Sequence, residues 1–149
     1  MPRTKKPPYQ ACPVARAADI MADRWSVLIV RDAFDGLRRF GEFQKSLSIA
    51  RNILADRLHT LVEAGILSME PASDGSAYQD YVLTAKGEAL FPVVVSFRQW
   101  AEQHLFQPGE PHSVLVESKT GRPIRKMAPS TRDGRVLGPQ DAFVRKLQS

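Results

Sequence analysis

The chain has 149 residues, a formal net charge of +5, 43% apolar residues and 25% charged residues. This length suits one domain with an extension, and the composition is ordinary for a globular protein. The chain has no run of eighteen apolar residues, so no membrane span is predicted. It has a single cysteine, which excludes an internal disulfide and fits a reducing cytoplasm.

Two helices are predicted in the first quarter of the chain. Pro13 suits the first turn of a helix, and small and apolar residues follow at helical spacing over residues 14–22. Asp23 is placed to cap a second helix, which begins near Trp25 and ends at Asp35-Gly36. The many apolar residues of this second helix predict a largely buried scaffold, in which Trp25 is a core or interface residue.

The segment LRRFGEFQKSLSIARNILADRLHTLVEAG, residues 37–65, predicts two helices separated by a tight break. Phe40, Phe43 and Leu47 stand at positions i, i+3 and i+7, which indicates one apolar stripe on a two-turn helix. Ser46 or Ser48 is a candidate cap for the helix that follows. Such a unit is typical of a helix-turn-helix.

The second helix of this unit has an apolar face and a polar face. Leu54, Leu58, Leu61 and Val62 share one face, and Gly65 is placed to end the helix in the left-handed region. The first turn carries an arginine and an asparagine, which pair bidentately with guanine and adenine. In a helix-turn-helix these N-terminal residues point toward the bases. The predicted base-contacting residues are Ala50, Arg51 and Asn52.

A β-hairpin is predicted directly after this unit. Residues 66–83 read as strand, polar turn and strand, with Asp74-Gly75 as the turn signal. Two helices followed by a hairpin make a winged helix-turn-helix. The wing tip has no Lys or Arg, so we expect it to contribute little readout and the phosphate contacts to come from other cations. The predicted backbone-contacting residues are Arg38, Arg39, Lys45 and Arg57, although Arg57 is internal if it pairs with an acid.

Positive charge is concentrated at both ends of the chain and around this unit. Residues 1–16 and 108–149 each carry a net charge of +4, whereas residues 17–107 carry −3 and residues 38–57 hold five basic and two acidic side chains. Residues 1–11 predict an extended basic arm, and no apolar segment follows to indicate a secretory signal. The arm either reaches DNA or a second subunit, or it is a solubilising tail.

A last core helix is predicted from Thr84, a good N-cap, to about Phe106. Pro92 removes a hydrogen bond inside it, so the helix either kinks there or restarts with Pro92 in its first turn. The residues beyond Pro92 carry more apolar surface than one domain of this size buries. This excess predicts dimerisation through the helix.

The ordered set of motifs resembles the HxlR-type family of bacterial transcriptional regulators. The matching pieces are CPV at 12–14, RW at 24–25, RFGEF at 39–43, LADRL at 54–58, EAGIL at 63–67, YVLTAKG at 81–87 and FPV at 91–93, leading to Trp100. The resemblance covers roughly residues 12–105. It implies a homodimer that binds double-stranded DNA, with the dimer built from the first and last helices of the core.

The fold expected is therefore α+β and mainly α. It comprises a winged helix-turn-helix over residues 12–107 with added N- and C-terminal dimerisation helices, followed by a small β-rich extension over residues 108–149. A dimer of this kind is expected to act as a repressor or activator on an inverted repeat, with half-sites roughly 34 Å apart. The alternative is a winged-helix module that binds proteins without reading sequence, which the acidic core and the wing without cations favour.

The resemblance also suggests a redox role for Cys12, because some HxlR-type regulators sense oxidants or electrophiles through a cysteine near this position. A thiolate there is favoured by the helix that follows and by Arg16 one turn on. The other interpretation is an inert, partly buried small residue. A pocket for a small aromatic effector is a further possibility, lined by Trp25, Phe91 and Trp100.

The extension contains a weak internal repeat. SKTGRPI at 118–124 and STRDGRVL at 130–137 each resemble strand, Gly turn and strand, which predicts short hairpins or a partly ordered tail. No cysteine follows Cys12 and His112 stands alone, so we expect no metal and no cofactor. The sequence has no nucleophile elbow, GxGxxG, Walker loop or His cluster, and we do not expect an enzyme.

Overall fold

The computed structural model describes residues 11–147, which separate into one compact unit ending at Phe91 and a second beginning at Pro92. The predicted basic arm lies outside the described residues apart from Ala11. Within residues 11–147, no helix combines the length and apolar character needed to cross a membrane.

The first unit begins with helices α1 (Pro13–Met21) and α2 (Arg24–Phe34). Asp23 caps α2 as predicted, because its carboxylate accepts hydrogen bonds from Ser26 N at 2.8 Å and Ser26 Oγ at 2.5 Å. Partial burial raises the pKa of Asp23, but these hydrogen bonds and the charge of Arg57 outweigh it and hold the pKa below its ordinary value. The expected burial of α2 holds for one face, which includes Ile29 and Val30.

The helix-turn-helix consists of α3 (Phe40–Leu47) and α4 (Arg51–Glu63). The predicted apolar face of α4 is confirmed, since Leu54, Leu58 and Leu61 are fully buried and Val62 is half-buried. Phe43 of α3 is also fully buried. Burial of this face leaves the opposite face of α4 open to solvent.

The turn between these helices differs from the prediction. Neither Ser46 nor Ser48 caps α4; the N-cap is Ala50, which makes no side-chain hydrogen bond. Ser48 instead ends α3 in the left-handed region, with φ +49° and ψ +42°. Ile49 follows it and is buried, so packing of the turn rather than cap chemistry fixes where α4 begins.

The end of α4 is closed by the chain that follows it. Gly65 adopts φ +76° and donates to the carbonyl of Val62 at 3.0 Å, while Ile66 donates to that of Leu61 at 2.9 Å. This is the left-handed helix termination that the sequence predicted. Lys86 Nζ also donates to the carbonyl of Ala64 at 2.6 Å, which satisfies another terminal carbonyl of the helix.

The predicted wing is an antiparallel pair of strands, β1 (Leu67–Pro71) and β2 (Gln79–Leu83). Leu67 faces Leu83 at the base of the hairpin, and Pro71 faces Gln79 at its outer end. The amide of Tyr81 donates to the carbonyl of Arg38 at 2.7 Å. This bond ties the wing to the residues that precede α3.

Two helices follow the wing, α5 (Ala85–Glu88) and α6 (Phe91–His104). Thr84 caps α5 as predicted by accepting from the amide of Gly87 at 3.0 Å. Pro92 is the second residue of α6, so the helix restarts there and does not kink. Gly87 lies so close to the residue before β1 that a Cβ on it would stand 2.2 Å from the carbonyl oxygen of Ile66.

In the second unit, the extension is held to α6 by polar side chains. Gln99 accepts from the amide of Met127 at 2.7 Å and donates to the carbonyl of Arg125 at 3.1 Å. Where the sequence predicts two hairpins, the chain forms two isolated bridges, Val116 with Pro123 and Ser130 with Val136. The chain therefore turns back on itself at each repeat, and the first bridge reaches Val116, two residues before the repeat.

Candidate nucleic-acid interface

The three predicted base-contacting residues lie together at the start of α4, and all three are exposed. Ala50 is the N-cap, and Arg51 and Asn52 form the first turn. The guanidinium of Arg51 lies 5.2 Å from the ring centre of Phe40 on α3, a cation–π contact that restricts where this cation points. The positive end of the α4 dipole adds to the charge of Arg51.

The rest of the exposed face of α4 is more acidic. Asp56 is exposed, and His59 lies 3.1 Å from Glu63 with both side chains in solvent. Acidic groups repel a phosphate backbone, so the electrostatics favour an approach by the N-terminal turn of α4 alone.

The predicted phosphate-binding cations fall into two groups. Arg38 precedes α3 by two residues and Lys45 lies in the last turn of α3, and both side chains are exposed. Arg57 is half-buried, with Nη1 3.7 Å from Asp23 Oδ2 and Nη2 3.6 Å from Asp56 Oδ2. Of the two interpretations that the sequence left open for Arg57, this geometry matches pairing with an acid.

Arg39 belongs to the second group, because its guanidinium is turned toward the wing. It forms an ion pair with Asp74, its Nε lies 3.7 Å from Asp80 Oδ1, and it stands 5.3 Å from the ring centre of Tyr78. The hydrogen bond that Arg39 donates to Asp74 and the charges of the nearby carboxylates raise the pKa of Arg39 above its ordinary value, although desolvation opposes them. Hydrogen bonds from Ser76 and Arg39 hold the pKa of Asp74 well below its usual range.

An open cleft of about 610 Å³ lies where α3, the start of α4 and the wing meet. It brings Arg51 and Tyr78 to one surface, together with Phe40 and Met69. Sequence reasoning missed Tyr78 and Phe40 as members of this surface. The only signal in the sequence was an aromatic residue in a wing loop that otherwise consists of small and polar residues.

Cys12 is exposed and occupies the residue before α1, where the sequence placed it. Its carbonyl accepts a hydrogen bond from the amide of Arg16 at 3.1 Å. Its exposure makes the thiol accessible to reagents, which the interpretation as a partly buried residue did not expect.

The three predicted effector-pocket residues have different surroundings. Trp25 is half-buried under the guanidinium of Arg24 at 5.2 Å. Phe91 packs against Phe34, with ring centres 5.3 Å apart, and lines a cleft of about 460 Å³ in the first unit. Trp100 lines a cleft of about 830 Å³ in the second unit. Trp25 lines neither of these two clefts.

Comparison with known proteins agrees with the geometry. The profile of the HxlR-like helix-turn-helix family matches residues 20–108. The uncharacterised helix-turn-helix-type transcriptional regulator Rv3095 of Mycobacterium tuberculosis is 40% identical over 98 residues, which are 66% of this chain. The aligned part spans 62% of the length of Rv3095.

Two solved structures extend the comparison. The crystal structure of PA1607, a candidate transcription factor, is 52% identical with a TM-score of 0.87 and covers 93% of this chain and 97% of its own. The redox regulator HypR in its reduced form is 29% identical with a TM-score of 0.58, and covers 62% of this chain and 93% of its own. With a winged helix-turn-helix in its first unit and a family profile over most of its length, this chain belongs to the HxlR-like helix-turn-helix family, whose members compared here are transcriptional regulators and not enzymes.

Proposed function

We propose that this protein is a sequence-specific DNA-binding regulator that inserts the first turn of α4 into the major groove. The observation that carries the proposal is the joint exposure of Ala50, Arg51 and Asn52 at that turn. The guanidinium of Arg51 has the donor geometry for guanine, and the amide of Asn52 matches adenine. Ala50 lies close to the bases, and the protein works in the cytoplasm, where bacterial DNA is found.

Arg38 and Lys45 are the cations that we assign to the DNA backbone. Both are exposed, Arg38 just before the helix that braces α4 and Lys45 in the last turn of that helix. Backbone contacts supply affinity and fix the register, whereas base contacts supply the specificity. The ion pairs of Arg39 and Arg57 indicate that these two residues support the interface from within the protein.

The regulator is proposed to act as a homodimer through α6. Val93, Phe97 and Trp100 stand at positions i, i+4 and i+7 of this helix, and Phe97 and Trp100 are 58% and 57% exposed. Val95 is the one buried residue among those described in α6. A contiguous apolar face of this kind is typical of an interface, and a second copy is the simplest cover for it. A two-fold dimer reads an inverted repeat with half-sites roughly 34 Å apart.

We propose that an oxidant or electrophile regulates DNA binding through Cys12. Its exposed thiol and the similarity to the redox regulator HypR support this route. Alkylation with iodoacetamide is expected to change operator affinity in the wild type and not in Cys12→Ser. Unchanged affinity after complete alkylation would exclude the sensor role.

The test of DNA binding is a fluorescence-anisotropy titration with duplexes from upstream of the protein's own gene and with a scrambled duplex of equal length. Each titration is run at two salt concentrations, because released counterions make the affinity fall as salt rises. Tighter, salt-sensitive binding to the upstream duplex is expected. Equal affinity for both duplexes would instead favour the module that binds proteins, which the exposed acids of α4 suit.

A further inference from the structure

Five side chains join the start of α3 to both ends of the wing loop, and we call this cluster the wing clasp. It consists of Arg39, Asp74, Ser76, Tyr78 and Asp80. Arg39 Nη2 pairs with Asp74 Oδ2 and lies 3.5 Å from Ser76 Oγ, its Nε lies 3.7 Å from Asp80 Oδ1, and its guanidinium faces the ring of Tyr78 at 5.3 Å. One side chain thus contacts the turn, the returning loop and β2.

Asp80 explains why Arg39 stays within the clasp. Asp80 is 3% exposed, and its Oδ1 has no hydrogen-bond partner among residues 11–147. A buried carboxylate is costly unless a cation lies near it, and Arg39 supplies that cation. If Arg39 moved away to a DNA phosphate, it would leave an uncompensated charge inside the protein.

Asp74 fixes the other end of the clasp. Its Oδ1 accepts from the amide of Ser76 at 3.0 Å, which closes the turn, and its Oδ2 accepts from Arg39. The wing tip has no cation of its own between residues 72 and 79. Arg39 therefore both neutralises the acid at the tip and ties the tip to α3.

The clasp leaves Tyr78 in a defined position. One face of its ring is covered by the guanidinium of Arg39, yet the residue is 67% exposed. It lines the same cleft as Arg51, the proposed reader of guanine. A phenolic hydroxyl donates well to phosphate oxygens, and among the side chains of this loop it has the longest reach.

We propose that Arg39 is a positioning residue that holds the wing so that the hydroxyl of Tyr78 donates to a DNA phosphate beside the base-reading turn of α4. This inference rests on the proposed DNA-binding function. It assigns to the wing a contact that its lack of Lys and Arg had argued against. It also moves Arg39 from direct phosphate binding to support of another residue.

The deciding variant is Asp74→Asn, because the two roles of Arg39 predict opposite signs. If Arg39 binds phosphate and Asp74 restrains it, then loss of the acid frees a cation, removes repulsion and tightens DNA binding. If the clasp operates, the same change loosens the wing and weakens binding about three- to tenfold. Asparagine keeps the acceptor for the Ser76 amide, so the turn itself is preserved.

Glu70→Gln is the matched control. Glu70 is an exposed acid on β1, three residues before the loop turn, and is not a member of the clasp, although it stands opposite Asp80 in the strand register. Its neutralisation is expected to leave DNA affinity unchanged or slightly higher. An Asp74→Asn variant that binds as tightly as Glu70→Gln, or tighter than wild type, overturns the proposal.

Tyr78→Phe tests the contact itself. It keeps the ring over Arg39 and removes only the hydroxyl, so we expect a similar loss of affinity with an unchanged melting temperature. In Asp74→Asn the hydroxyl is already misplaced, so adding Tyr78→Phe is expected to cost little more. Additive losses, or no loss from Tyr78→Phe alone, would contradict the assignment.

Amide hydrogen exchange of the free protein separates this inference from the function on which it rests. If the wild type shows no sequence preference, the proposed function fails, and the clasp is then judged without DNA. Faster exchange over residues 72–79 in Asp74→Asn, with Glu70→Gln unchanged, supports the clasp as a holder of the wing. Unchanged exchange in both variants overturns it.

Discussion

Asn52 is the side chain on which the proposed recognition of adenine depends. It is exposed in the first turn of α4, with the buried Leu54 fixing the helix beneath it. Asn52→Ala removes both hydrogen-bonding groups of the amide and leaves the helix intact. We expect a loss of about 1–3 kcal/mol in binding and weaker discrimination at one base pair. Competition titrations with operators changed at single base pairs measure both effects.

His59→Ala is the control for this change. His59 is exposed on the same helix, about two turns further on, and pairs with Glu63. Its removal is expected to leave both affinity and base preference unchanged. If Asn52→Ala weakens all operator variants equally, then Asn52 contacts the backbone and does not read a base.

The sequence predicted the exposure of Arg51 and Asn52 because this exposure follows from local periodicity. The buried face is defined by Leu54, Leu58 and Leu61, and the helical period then determines which residues face solvent. The surroundings of Arg39 were not predictable in this way. Its partners Asp74 and Asp80 are separated from it by the whole of α3, α4 and β1, and one sequence contains no information on such distances.

At the scale of elements, the cap of α2 makes stability depend on pH. The pKa of Asp23 is lowered in the folded state, so its ionised form stabilises the fold at pH values above the ordinary 3.8. This contribution is lost as the pH falls through the lowered pKa. Urea unfolding of the wild type is therefore expected to show decreasing stability on acidification below about pH 5.

Asp23→Asn separates the cap from the charge. Asparagine remains a good N-cap, so we expect near wild-type stability at neutral pH and a shallower decrease in acid. Asp23→Ala is expected to lose about 1 kcal/mol at neutral pH because no acceptor remains for Ser26. Identical pH profiles for wild type and Asp23→Asn would show that other groups cause the acid sensitivity.

The close approach of α5 to Ile66, the residue before β1, permits no side chain at residue 87. A Cβ there would stand 2.2 Å from the carbonyl oxygen of Ile66, and backbone cannot move aside cheaply. Gly87→Ala is expected to lower the free energy of unfolding by about 1–3 kcal/mol. Gly41→Ala is the control, because a Cβ at this helical position meets nothing within 4 Å. Equal melting temperatures for the two variants would contradict this close approach.

Elements were predictable where one residue type decides the local geometry. Thr84, Asp23 and Gly65 were placed correctly because caps and left-handed terminations depend on neighbouring residues only. The prediction that Ser46 or Ser48 caps α4 was wrong, because burial of Ile49 outweighs the preference of serine for the N-cap position. In the extension, Val116 and Val136 are exposed at the bridges, so little apolar burial supports longer strands.

For the whole molecule, the testable property is association through α6. Phe97→Glu places a charge in the apolar face and is expected to convert a micromolar dimer into a monomer in equilibrium sedimentation. Val136→Glu changes an equally exposed apolar residue outside α6 and is the matched control. A wild type that sediments as a monomer at micromolar concentration would contradict the proposed dimer.

The exposed apolar surface of α6 was expected from the run of apolar residues beyond Pro92, which exceeds what one domain of this size buries. The proposed partner for this surface is a second copy, and the sequence of one chain does not specify how two copies associate. For the same reason the inverted repeat follows from symmetry and from no particular residue. In the proposed function, base recognition depends on residues of α4, whereas the spacing of the half-sites depends on how two copies of the chain associate.

The backbone conformation of Ser48, in the turn between α3 and α4, offers a way to raise the thermal stability of the protein. It is the one non-glycine residue with positive φ among residues 11–147, and this conformation costs a residue with a Cβ about 1–2 kcal/mol. Ser48→Gly removes that penalty but gives the unfolded chain more freedom, so a modest net gain remains. We expect the variant to melt a few degrees higher. Ser48→Gly, in the turn between α3 and α4, is therefore a first substitution to test for a more thermostable form of this regulator.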